Sequence, residues 1–164
     1  MMQRYLARVV MVGFMLVLGA CWGGEKSGPE DIHWDRDACE LCKMLISDAR
    51  FAAEVRGGDK NKLYKFDDIG CAINWLNDQH WAGDEAAEIW VADGASTRDN
   101  LIWLNAREAR YVKGALTPMN YGFSAVAPSS SVSGQAVGIG FVELTRKILT
   151  DTPNHICKVP ERNE

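Results

Sequence analysis

Apolar and polar positions change period several times along the chain, and each change predicts an element. Val9 to Leu18 is an unbroken apolar run preceded by Arg4 and Arg8. Residues 22–31 are glycine-rich, polar and charged, and read as a tether. Leu45 to Val55 predicts an extended strand with a helix-tolerant middle, closed by a turn at Gly57-Gly58-Asp59. Lys62 to Phe66 alternates polar with apolar, as a half-buried strand does. Ile69, Ile73 and Leu76 are spaced four and three apart behind Asp67-Asp68. That spacing predicts a capped amphipathic helix running to about His80. Ala87 to Val91 reads as a closing strand. Leu101 to Val112 and Tyr121 to Val126 read as two more strands, separated by Lys113-Gly114. Gln135 to Leu149 predicts a short strand-like piece and then a helix from Glu143.

The pattern repeats. Displaced by 57 residues, Asp48 to Val55 falls on Asn105 to Val112 without a gap. Ala49, Arg50, Ala52, Val55, Gly57, Tyr64 and Phe66 then meet identical residues. Two copies are too few for a solenoid, which needs at least three. The expectation is an α+β protein of two related ββαβ half-domains, residues 33–94 and 95–150. Residues 1–20 precede them as a signal peptide and 21–32 as a lipidated tether, and 151–164 form a loose tail.

Composition narrows the partners. The 164 residues carry the charged and apolar fractions of a globular protein. The net charge is −4, which argues against nucleic acid. The apolar run near the start has a positive flank and ends in Leu18-Gly19-Ala20, the pattern of an export signal. It is too short to span a bilayer as a stable helix. Leu-Gly-Ala-Cys resembles the bacterial lipobox, so Cys21 is the expected lipidation site, and more than one acyl chain makes such anchoring stable. Trp22 after it slightly favours the outer membrane over the inner one, with the fold facing the periplasm.

Export places Cys39, Cys42, Cys71 and Cys157 in an oxidising space, where four thiols allow three disulfide connectivities. A different chemistry competes with disulfides. Cys39-Glu40-Leu41-Cys42-Lys43-Met44 sets two thiols and a thioether within six residues. Of six methionines, only Met44 and Met119 lie beyond the signal segment. Thiolate and thioether sulfur are soft donors that select Cu(I). Residues i and i+2 of a strand share a face, so Cys42 and Met44 can address one ion. Met119 would join from the second half. Zinc fits such a set poorly, since it prefers four Cys, His or carboxylate ligands. Cys39 stays open as a fourth donor, a redox partner or neither. Cys71 reads as a buried structural thiol, and Asp67 and Asp68 as an N-cap and a first-turn acid. Nothing in the sequence sets either aspartate beside Cys42. His155 and Cys157 have ligand-like spacing but sit in the tail. The tryptophans read as core and interface anchors.

Taken in order, several motifs resemble the NosL family. They are the lipobox, Cys-x-x-Cys-x-Met, Asp48-Ala-Arg-Phe-Ala-Ala-Glu, Lys65-Phe-Asp-Asp-Ile-Gly-Cys71, Trp90-Val-Ala-Asp93 and Thr117-Pro-Met119. The resemblance covers roughly residues 10 to 145. It implies a lipoprotein metallochaperone that binds Cu(I) and serves nitrous oxide reductase, docking on the periplasmic subunit of an ABC-type assembly complex. It implies two ββαβ halves, similar to the organomercurial lyase fold. It also implies Cys42, Met44 and Met119 as copper ligands and no catalysis by the chain itself. The chain departs from the pattern at Lys43, where many members carry glycine. The rival reading is a thiol–disulfide oxidoreductase using Cys39 and Cys42, although no thioredoxin-like βαβ context surrounds them. Cleavage of carbon–metal bonds is a third reading, by analogy of fold alone.

Overall fold

A computed structural model describes residues 26–132, 135–136 and 138–151. Cys21, the signal segment, His155 and Cys157 lie outside the described residues. Four antiparallel strands form the main sheet: β1 (Ala53–Gly57), β2 (Lys62–Phe66), β3 (Glu88–Ala92) and β4 (Trp103–Asn105), in the order β2-β1-β3-β4. Helix α1 (Ile69–Asn77) crosses from β2 to β3. A second, two-stranded sheet pairs β5 (Arg110–Lys113) with β6 (Phe123–Val126). A short ribbon of β7 (Ser131–Val132) and β8 (Gln135–Ala136) leads to helix α2 (Phe141–Asp151). The protein is therefore α+β with antiparallel sheets.

Alternation decides which face of the main sheet meets the core. Ala53, Val55, Phe66, Ile89 and Val91 point inward and are buried under α1. Helix α1 is buried through Ile69, Cys71, Ala72, Ile73 and Leu76 because it is enclosed between this sheet, Tyr111 and Phe123 of the second sheet, and Leu144 and Ile148 of α2. Burying a large aliphatic side chain is worth roughly 1.5–3 kcal/mol, so this layer holds the two sheets together.

The opposite face is polar yet also buried. Glu54 and Arg56 point outward from β1, and residues 26–32 are laid over them. The Gly28 carbonyl accepts from the Arg56 guanidinium, and the Glu30 amide donates to Glu54. Gly28 also donates to Glu88, and Lys65 donates to the Asp31 carbonyl.

Several expected elements are reshaped. Leu45 to Val55 is not one strand: Leu45 makes an isolated bridge to Ala38, residues 48–51 turn, and only Ala53 onward pairs. An Asx turn causes the break, with Asp48 accepting from the Arg50 amide. Leu101 to Val112 is broken in the same way, because Asn105 accepts from the Arg107 amide. Helix α1 ends at Asn77, short of His80. The internal repeat is real over this turn and the strand after it, since β1 and β5 stand 57 residues apart. It loses register afterwards. Gly57 faces Lys62, whereas Gly114 bonds to Gly122, so the second hairpin has three more loop residues. Residues 33–94 keep the order ββαβ. Residues 95–150 do not, because β4 completes the first sheet and the hairpin is followed by a ribbon and α2.

Candidate metal centre

Residues 35–46 fold back on themselves as a loop. Asp35 and Ile46 are hydrogen-bonded, as are Asp37 and Ile46, and Ala38 bridges Leu45. Cys39 donates its amide to the Met44 carbonyl and accepts the Lys43 amide, which closes the tip. The Glu40 amide bonds to the Lys65 carbonyl, so the tip hangs on the free edge of β2. Cys42 and Met44 thus lie in a turn, not on a strand. Lys43 has φ 64°, a left-handed conformation that reverses the chain between them. Glycine adopts this conformation freely, whereas a side chain such as that of Lys43 strains it. Lys43 is exposed and pairs with Glu40 at 3.4 Å.

The tip meets the start of α1. Asp68 caps the helix, accepting from the Gly70 amide at 3.0 Å. Asp67, one residue earlier, points its Oδ2 to within 3.4 Å of the Cys42 sulfur. Cys71, in the first turn of α1, faces inward toward Cys39. Donor atoms of Cys39, Cys42, Asp67 and Cys71 all lie within 4.8 Å of one another. Cys39 and Cys71 are 0% exposed, Asp67 is buried, and Cys42 is half-buried. Asp67 therefore stands beside Cys42, a neighbour that the sequence did not indicate, while Asp68 is the expected N-cap. The same grouping places Cys71 in the site and not in a separate stretch of core.

Environment separates the three thiols. The Cys71 thiol hydrogen-bonded to Cys39 holds the Cys39 pKa below the ordinary thiol value. The same bond, with burial, keeps the proton on Cys71. Burial also pushes the Cys42 thiol up. Asp68 is fully buried, and burial lifts its pKa to about 6. The Asp67 Oδ1 is buried without a hydrogen-bond partner, an oxygen that an added cation would satisfy. Three thiols and one carboxylate form a donor set suited to a soft or borderline metal ion.

The two methionines stand differently. Met119 lies in the β5–β6 loop, half-buried against the main core, and its amide points to Asp68 Oδ2 at 3.4 Å. Tyr121 from the same loop covers Gly70 so closely that any Cβ there would enter its ring. Cys42 and Met119 therefore abut the adjacent residues Asp67 and Asp68. Met44 is 45% exposed at the loop tip. Among the described residues, Cys39, Cys42 and Cys71 are free thiols.

A search of curated proteins returns no match. The NosL family model matches residues 32–133, a span that holds the thiol loop, both aspartates, Cys71 and Met119. The match covers well over half of the chain: the protein belongs to the NosL family.

Proposed function

We propose that this protein is a Cu(I) carrier that takes copper as cargo at the tip of the thiol loop, through Cys42, Met44 and Met119. The observation that carries the reading is the position of Cys42. It is the half-exposed sulfur of the Cys39–Cys42–Asp67–Cys71 group, and it meets Asp67 while the Met119 amide meets the next residue, Asp68. A thiolate with two thioethers suits a low-coordinate cuprous ion. An exposed thioether at Met44 suits release, because an acceptor's donor group can approach there before the inner ligands let go. We place the carrier on a bacterial membrane through lipid on Cys21, facing the periplasm. Its delivery target is nitrous oxide reductase, by way of the ABC-type assembly complex. The shared Asx turns and first strands support descent of both halves from one ββαβ unit. A thiol–disulfide oxidoreductase is less well supported, since the Cys39–Cys42 segment is a buried-edge turn beside an antiparallel sheet.

The test is anaerobic Cu(I) titration against a chromogenic chelator. Cys42→Ser should lower affinity by more than the roughly 100-fold that loss of an outer-shell partner costs. Met119→Leu should weaken it too. Unchanged affinity in Cys42→Ser overturns the reading. Fatty-acid labelling abolished by Cys21→Ser would test the anchor, and copper loading of the metal-free reductase would test delivery.

A further inference from the structure

The three thiols are graded by access. Cys39 and Cys71 are sealed from solvent, and Cys42 alone is partly open. Their sulfurs all lie within 4.8 Å of one another, so each is in reach of the other two. A disulfide between the two sealed thiols leaves a neutral pair that needs no polar partner in that buried place.

We propose that Cys39 and Cys71 are the residues of a buried disulfide in the oxidised protein, formed by way of Cys42, which ends as a thiol. The oxidant is a small-molecule disulfide such as glutathione disulfide. Among the three described thiols it can reach only Cys42, so the first step is exchange there, giving a Cys42–glutathione mixed disulfide and one reduced glutathione. Cys39 then attacks the Cys42 sulfur and expels the second glutathione as its thiol. Cys71 attacks the Cys39 sulfur last, which breaks the Cys39–Cys42 bond and returns the proton to Cys42. In total two thiols lose two electrons and two protons, and one glutathione disulfide becomes two reduced glutathiones. Disulfide sulfurs sit about 2.05 Å apart, so the closing step needs the loop tip to move toward α1. The tip is the more compliant partner, since it is held through its own turn, one backbone bond to β2 and the Cys42–Asp67 contact, whereas Cys71 is fixed in a packed helix. The end state differs from a Cys39–Cys42 bridge in one respect: the accessible thiol survives. The inference is independent of the copper reading, because no metal enters it.

The experiment is metal-free oxidation of the full chain with glutathione disulfide, alkylation, and peptide mapping without reduction. Glu40 lies between Cys39 and Cys42, so trypsin combined with a glutamate-specific protease separates the two. The expected result is a Cys39–Cys71 linked peptide with Cys42 alkylated. Cys42→Ser should form the same link at least about tenfold more slowly at equal oxidant, since its entry point is lost. In Cys71→Ser the reaction should stop at a Cys39–Cys42 bridge, with Cys42 protected from alkylation. A wild-type end product linked through Cys42, full alkylation of all three thiols, or wild-type speed in Cys42→Ser would each overturn the proposal.

Discussion

The two faces of the main sheet each bury acids, and they answer them in opposite ways. On the outer face, Glu54 and Arg56 lie beneath residues 26–32, where the guanidinium bonds to the Gly28 carbonyl and to the Glu30 carboxylate at 3.0 Å. At the α1 end, Asp67 meets the Cys42 thiol, and Asp68 meets the Gly70 and Met119 amides and the Thr117 hydroxyl. Both groups leave one carboxylate oxygen without a partner, Glu54 Oε1 and Asp67 Oδ1. The neighbours differ: a cation of the chain's own on one side, soft sulfur on the other. The first arrangement draws its positive charge from the protein itself. The second has the composition of a site that an incoming cation completes.

Breaking the outer group should be the more damaging act. Arg56 is 2% exposed, and its guanidinium bonds to the Gly28 carbonyl and the Glu30 carboxylate, where a hydrogen bond to a charged group is worth about 1.5–3 kcal/mol. Arg56→Ala should lower the urea midpoint accordingly while leaving the Cu(I) affinity of the folded fraction unchanged. Loss of copper binding in a folded Arg56→Ala protein would erase the contrast.

Proton linkage sharpens the comparison next. Burial raises the Glu54 pKa from 4.5 to about 7. The folded protein thus holds a proton that the unfolded chain releases near pH 4.5. The resulting stabilisation is full below pH 4.5 and is lost as pH rises through 7, an effect on the order of 3 kcal/mol. Glu54→Gln should flatten that slope and gain stability above pH 7, as read by urea titration across the range.

Gly70→Ala comes third, and acts on the other side. Its Cβ would enter the Tyr121 ring, and such overpacking costs about 1–3 kcal/mol. Because Tyr121 and Met119 share a loop, this variant should also weaken copper binding, unlike Arg56→Ala. The smallest effect is expected from Lys43→Gly. Glycine relieves the left-handed strain at φ 64° but frees the unfolded chain. The two offset, so the midpoint should move by less than about 1 kcal/mol.

Local signals carried much of this into the sequence. Lys62–Phe66 was legible as a strand and Asp68-led Ile69–Asn77 as a capped helix, because alternation and capping are short-range. The strand boundaries before Ala53 and Arg110 were hidden by Asx turns, where one polar side chain overrides an apolar run. The soft-donor character of Cys42, Met44 and Met119 could be read from residue type. The company of Cys42 could not. Asp67 and Cys71 reach it only because Glu40 hangs the loop on Lys65, two residues before Asp67. That pairing joins segments 25 residues apart and has no periodic trace.

The three additional residues of the second hairpin sit beyond the last paired rungs, in the stretch that carries Met119. Lengthening or trimming such a connection costs little closure entropy, since that cost grows only slowly with span. No strand need slip when it changes. The thioether at its apex is therefore adjustable in reach, whereas the Cys71 thiol is fixed in a packed helix.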